Sequence, residues 1–145
     1  MVQVDTNLFE DVFRKRQGWQ ASSAVISLVK KGVVSGCVSA WTAATIYYFR
    51  RQSGMTDLLA RQRTVEILKG FVILDLTAQV TERALSDRLF SGFEDALQFY
   101  TALEHKVDAF VTRNTRHFQV MKGKIILLTP EEFLAQWKEE PCQRN

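Results

Sequence analysis

The apolar positions of this chain change period again and again, from short continuous runs to helical spacing and back. Val2 to Val4 is a short apolar strand that ends on a carboxylate, Asp5. Thr6 is placed to cap a helix over Asn7 to Arg16, whose Leu8, Phe9, Val12 and Phe13 share one face, with Gly18 closing it. A second helix is predicted over Gln20 to Lys31, with Ala21, Ala24, Val25, Leu28 and Val29 on one stripe and Lys30, Lys31 and Gly32 at its end. Ser35 to Ser39 reads as a strand and Trp41 to Arg51 as a helix, broken by Ser53-Gly54. Thr56 to Lys69 is the next helix, and Phe71 to Asp75 is a strand with the continuous apolar character of a buried parallel sheet. Helices follow over Thr77 to Leu89 and over Phe93 to His105, the latter turning Ala96, Phe99, Tyr100 and Leu103 inward. Strands are predicted over Ala109 to Thr112 and Lys124 to Leu128. Thr129-Pro130-Glu131-Glu132 then starts a last helix with a cap, a proline at the first position and acids in the first turn.

Strands alternating with helical segments call for an α/β fold, a mainly parallel central sheet flanked by helices in three Rossmann-like layers. No repeat, linker or low-complexity tract interrupts it, so one domain is expected over residues 1–138, with a polar tail over 139–145. In such a sheet the site lies beyond the carboxyl ends of the strands, where the strand order reverses.

Composition narrows the setting. Two cysteines, Cys37 and Cys142, make neither a disulfide framework nor a zinc motif, which fits a reduced, cytoplasmic location. The start of the chain lacks the basic and apolar regions of a signal peptide, and no apolar run approaches the roughly 20 residues that cross a bilayer, so no membrane association is expected. A net charge of +3 is compatible with a nucleic-acid partner without requiring one.

The candidate chemistry sits where polar residues interrupt the apolar pattern. Asp5 ends the first strand, Thr112-Arg113-Asn114 leaves a later one, and Glu94-Asp95 opens a helix, where free backbone N–H groups favour negative charge. Each has an ordinary reading: a helix cap for Asp5, dipole compensation for Glu94 and Asp95, a strand exit for Thr112 to Asn114. Together they fall on one predicted rim, and converging carboxylates with oxygen-rich neighbours are what Mg²⁺ or Mn²⁺ takes. Arg113 and Arg116 flank the same rim and are candidates for phosphate contacts. The other basic groups (Arg14-Lys15-Arg16, Arg50-Arg51, Arg61 with Arg63) read as solvated helix faces. Trp19, Trp41 and Trp137 can stack on bases, but core or partner packing is the reading favoured for all three. His105 reads as a helix C-terminal partner, and His117, beside Phe118, as structural or as an acid or ligand.

In order along the chain, Val4-Asp5-Thr6-Asn7, Val38-Ser39-Ala40 leading to Ile46-Tyr47-Tyr48, Phe93-Glu94-Asp95-Ala96-Leu97-Gln98, Phe110-Val111-Thr112-Arg113-Asn114 and Leu128-Thr129-Pro130-Glu131-Glu132-Phe133-Leu134 resemble the PIN domains, of the bacterial group that includes VapC-type toxins. The resemblance runs from Val4 to about Trp137. It implies a Mg²⁺- or Mn²⁺-dependent ribonuclease, with homodimer formation and an antitoxin protein as expected partners beside RNA. Carried over, Asp5 and Asp95 are the catalytic metal ligands, Glu94 an assisting acid, and Asn7, Thr112 and Asn114 supporting polar groups. Three family acids are missing, with Thr45, Gly92 and His117 in their places, so one weakly held ion is expected. The rival reading is a degenerate PIN domain that has become a non-catalytic RNA-binding or protein-interaction module.

Overall fold

The computed structural model describes residues 1–139. Five short strands, β1 (Val2–Val4), β2 (Gly36–Ser39), β3 (Val72–Leu74), β4 (Ala109–Val111) and β5 (Ile126–Leu128), form one sheet in the order β3-β2-β1-β4-β5. Every neighbouring pair is parallel, with Val2 opposite Gly36 and Val4 opposite Val111. Successive strands step outward from β1 through β2 to β3, and the chain then returns to the other side of β1 for β4 and β5. The order therefore reverses between β1 and β4, and their carboxyl ends carry Asp5 and Thr112.

Side chains of a strand alternate between faces, and the two cores follow that period. Val4, Val38, Val111 and Leu128 point to one face, where they meet Leu8, Phe9, Val25, Val29, Ile46, Leu68 and Phe133. These come from α1 (Thr6–Arg14), α2 (Trp19–Lys30), α3 (Ala40–Gln52), α4 (Asp57–Leu68) and α7 (Pro130–Glu139). Cys37, Leu74 and Phe110 point to the other face, against Phe99 and Ala102 of α6 (Phe93–Glu104) and against Phe118 and Met121. A third cluster, Val80, Ala84, Ala96 and Leu97, seats α5 (Ala78–Ser86) on α6. Burial of the four rings Phe9, Phe99, Phe110 and Phe118 stabilises the fold by roughly 2–3 kcal/mol each. Gly36 is needed where α2 crosses β2, because an added Cβ would stand 2.4 Å from Val29 Cγ2.

Local chemistry sets the helix ends. Thr56 and Thr77 accept hydrogen bonds from the N–H groups of Leu59 (3.3 Å) and Val80 (3.2 Å), and Ser39 does the same for Thr42 (3.2 Å). Thr129 and Glu132 form a reciprocal capping box at α7, with bonds of 2.8 and 3.1 Å. His105 caps α6 and places Nε2 3.2 Å from the Asp75 carbonyl oxygen.

Three expectations change. Thr6 is the first residue of α1 rather than its cap; Asp5 takes the cap position, and its side chain makes no capping bond. α5 stops at Ser86, three residues short of Leu89, because Asp87 turns the chain by accepting from the N–H groups of Leu89 (2.7 Å) and Phe90 (2.9 Å). The strand expected to be buried over Phe71 to Asp75 is short and marginal: β3 is the edge of the sheet, and Val72 and Ile73 are about half exposed, 50% and 51%. Cys37 is buried and its thiol is pushed up to about 12 by that burial, so it is an inert core residue. The tail expected over 139–145, with Cys142, falls outside the described residues except for Glu139, which closes α7. Among the described residues no helix is long and apolar enough to cross a membrane.

Candidate acidic site

Asp5 leaves β1 directly into α1, so its carboxylate is held at the reversal of strand order, buried under the carboxyl ends of β1 and β4. Both oxygens are engaged. Oδ1 accepts from Gln98 Nε2 at 3.0 Å, and Oδ2 accepts from the Thr112 hydroxyl at 2.6 Å. Thr112 Oγ1 is itself fixed, since it accepts from Asn7 Nδ2 (3.1 Å) and from the Asn114 N–H (3.0 Å) while donating to Asp5. Asn7 Oδ1 in turn accepts from the Arg113 N–H at 3.3 Å.

Gln98 is the member that sequence reasoning passed over. It lies on the inner face of α6, one turn after Asp95, and is almost wholly buried. Its Oε1 accepts from Gln3 Nε2 (3.1 Å) and Ser39 Oγ (3.0 Å), which orients Nε2 toward Asp5 and toward Thr6 Oγ1 (3.1 Å). Thr6 and Thr42 share a 2.8 Å hydroxyl contact in the same network. The available signal was Gln3, a polar residue at the centre of an apolar strand, since an amide there demands a polar partner from the helix above it.

Asp95 opens α6 in its first turn, next to Glu94. Its Oδ2 lies 3.0 Å from His117 Nδ1, and Asn114 Nδ2 lies 3.1 Å from the same nitrogen. The loop after β4 thus brings His117 and Asn114 to Asp95. Burial pushes the Asp5 carboxyl up to about 6; the Thr112 bond opposes the rise and the Asp95 charge adds to it. Burial also raises Asp95, against the attraction of His117 and with the repulsion of Glu94. The two carboxyls therefore resist being ionised together.

Asp5, Asn7, Glu94, Asp95 and Asn114 all line one cleft of about 660 Å³, and so do Thr45 and Gln98. Thr45 faces it from α3, its hydroxyl donating to the Trp41 carbonyl at 2.8 Å. Gly92 caps α6 in an extended conformation that any residue adopts; a Cβ there would stand 3.6 Å from Glu94 Oε2 and 3.7 Å from Asp95 Oδ2. Arg113 points elsewhere. Its guanidinium runs back from the rim to Asp11 Oδ2 (2.9 Å), Glu131 Oε1 (2.8 Å), the Gly18 carbonyl (2.8 Å) and Ser22 Oγ (3.0 Å). Gly18 has a φ of +80°, a conformation that favours glycine, and its missing Cβ leaves room for the Arg113 guanidinium, which a Cβ would approach to 2.8 Å. Arg116 is exposed on the same loop. Of the tryptophans, Trp41 lines the cleft, Trp19 lies 5.9 Å from the Lys15 ammonium and Trp137 stacks on Phe133.

A doubly wound, all-parallel α/β sheet with a carboxylate cleft at its reversal point defines the class of protein. The family model of the PIN domain matches residues 1–116, and the chain belongs to that family. Among solved structures, a toxin–antitoxin complex from Klebsiella pneumoniae contains a chain 22% identical, with a TM-score of 0.66 and coverage of 90% of this chain and 98% of that one. VapBC2 from Rickettsia felis, bound to a DNA fragment from its promoter, gives 20% identity and a TM-score of 0.63 over 89% and 98% of the two chains. FitAcB from Neisseria gonorrhoeae gives 21% and 0.62 over 90% and 99%. At these identities the likeness speaks to the fold. No curated protein matches the chain.

PIN domains generally work with divalent metals, and the oxygen donors of Asp5 and Asp95 suit such an ion. The set is thin: among the described residues no group of three or more His, Cys, Asp or Glu side chains gathers around one point.

Proposed function

We propose that this protein is a divalent-metal-dependent ribonuclease of the toxin type, with Asp5 and Asp95 holding one Mg²⁺ or Mn²⁺ and Glu94 assisting. The observation that carries the reading is the buried, doubly hydrogen-bonded Asp5, held near Asp95 in a cleft at the reversal of the sheet. A carboxylate is not kept there without cause, because its charge is costly and grows cheaper only when a cation arrives. When bound, the ion supplies positive charge to phosphate oxygens and acidifies water. The residues of the chain do the rest. Gln98 and Thr112 hold Asp5 through both of its oxygens at the edge of the cleft. His117 orients Asp95 through Nδ1, and Asn114 in turn holds the His117 ring. Arg116 adds charge for the phosphate backbone from the exposed loop.

The thin acid set favours weak affinity for the free ion, completed by RNA phosphate oxygens. Cleavage of single-stranded RNA with millimolar Mn²⁺ is expected, and Asp5→Asn or Asp95→Asn is expected to lower it at least about a hundredfold. Cleavage unchanged in both variants would overturn the assignment. The same thin set favours a second reading, a non-catalytic PIN module. Activity that appears only in a Thr45→Glu, His117→Asp variant supports that alternative. A toxin of this type has an antitoxin partner that carries a basic group into the acidic cleft, works in the cytoplasm and forms a homodimer. Co-purification with the product of an adjoining small gene tests the partner.

A further inference from the structure

The polar side chains around Gln98 close into a ring. Its Nε2 carries two hydrogens: one goes to Asp5 Oδ1 at 3.0 Å, the other to Thr6 Oγ1 at 3.1 Å. Thr6 Oγ1 lies 2.8 Å from Thr42 Oγ1, and Thr42 Oγ1 lies 3.1 Å from Ser39 Oγ. Ser39 Oγ then donates back to Gln98 Oε1 at 3.0 Å. Ser39 and Thr42 are fully buried and Gln98 almost so. The members come from α1, β2, α3 and α6, so the ring joins four elements to the carboxylate at the end of β1.

Counting hydrogens gives the ring one direction, because a hydroxyl has a single hydrogen to donate. Thr6 accepts from Gln98, so its own hydrogen serves the contact to Thr42. Ser39 donates to Gln98 Oε1 and therefore accepts from the Thr42 hydroxyl, as it also does from the Thr42 N–H at 3.2 Å. Each hydroxyl accepts from one neighbour and donates to the next, from Gln98 Nε2 round to Gln98 Oε1. Bonds in such a chain polarise and strengthen one another. The amide sets the sense of the ring. Turned over, it would put its oxygen against the Asp5 carboxylate, where two acceptors cannot bond. Gln3 Nε2 holds the same orientation by donating to Oε1 at 3.1 Å. Packing alone does not call for this arrangement, since matched polar groups exchanged for apolar ones of the same shape leave stability nearly unchanged. What the ring secures is a donor kept aimed at Asp5.

We propose that Thr6, Thr42 and Ser39 are positioning residues for the metal ligand Asp5, acting through the Gln98 amide. The inference rests on the ribonuclease reading above and extends its ion site to the first turn of α3. Ser39 and Thr42 do not line the cleft, so an effect of either on ion binding passes through Gln98. A carboxylate already held by its hydrogen-bond partners binds an ion more tightly, and loss of such a partner typically weakens metal binding by about 10–100-fold.

The test compares Thr42→Val, which keeps the shape and opens the ring, with Thr42→Ser, which keeps the hydroxyl. Thr6→Val opens the same ring at a half-buried position, so the result does not hang on one core site. Two quantities are read near neutral pH: hydrogen exchange of the Gln98 side-chain amide by NMR in the ion-free protein, and Mn²⁺ affinity by titration calorimetry. Both Val variants are expected to exchange the amide at least about tenfold faster and to bind Mn²⁺ about tenfold more weakly, with Thr42→Ser within about twofold of wild type in each. Wild-type values in a folded Val variant would overturn the proposal. So would a change in one quantity without the other, or an equal loss in Thr42→Ser. A wild-type protein without Mn²⁺ affinity contradicts the ribonuclease reading itself, while the exchange rates, measured without the ion, still decide whether the ring holds the amide.

Discussion

Asp5 is where a stabilising choice and a functional one part company. Its carboxyl is pushed up to about 6 by burial, whereas the unfolded chain titrates near the ordinary value of 3.8. A raised folded-state pKa means that the native protein holds the proton longer. This stability is fully present below about pH 4 and is lost as pH rises through about 6. At neutral pH the ion-free protein therefore carries an uncompensated buried charge. Asp5→Asn removes that charge but sets its amide N–H₂ against one of two donors, so it is expected to make the ion-free protein more stable near pH 7 by less than the roughly 3 kcal/mol of the charge alone, measured in urea. Saturating Mn²⁺ narrows that gap by stabilising only the wild type. A less stable Asp5→Asn protein would count against a destabilising carboxylate. Gln98 is the second residue-scale test. Gln98→Leu leaves the donors on Gln3 and Ser39 without their acceptor and deprives Asp5 of one of its two bonds, so a loss of roughly 2 kcal/mol or more is expected in the same assay. Asp5, Asp95, Thr112 and Asn114 were legible from the sequence because polar residues at strand ends and helix starts stand out against apolar runs. Gln98 was not, because inside an amphipathic helix a glutamine reads as surface until the strand beneath it is known.

At the scale of elements, Arg113 binds three helices into one unit: Asp11 on α1, Ser22 on α2 and Glu131 on α7. Asp11 is buried and depends on this guanidinium and on Ser22 for its bonds. Arg113→Leu is expected to cost about 3 kcal/mol, since it strands a buried carboxylate, and Asp11→Leu combined with Arg113→Leu is expected to cost less than the two single changes summed. Equal additivity in a double-mutant cycle would show that the pair is not coupled. The sequence placed Arg113 on the rim and suggested a phosphate contact. The backbone does lie on the rim, but periodicity reports where a residue sits and not where a long side chain turns. The edge position of β3 was hidden for a related reason. Val72, Ile73 and Leu74 form an apolar run that looks like a central strand, and only the sheet order shows that, among the described residues, one side of it has no neighbouring strand.

On the scale of the whole molecule, the alternation of strands and helices was enough to predict a parallel sheet and a site at its carboxyl edge. The reversal between β1 and β4 then does what no local pattern can: it carries Asp5, Thr112 and, through the loop after β4, Asn114 and His117 to the start of α6. Membership of the PIN family accounts for the architecture. The claim on which everything else depends is that Asp5 and Asp95 hold a divalent ion. Titration calorimetry with Mn²⁺ at about pH 7.5 and about pH 5 addresses it directly, because an ion must displace the Asp5 proton below its pKa of about 6. The account predicts weak binding near neutrality, an affinity about tenfold lower at the acid pH, and no measurable heat from Asp5→Asn at either. Equal affinity at both pH values, or undiminished binding by Asp5→Asn, would contradict it.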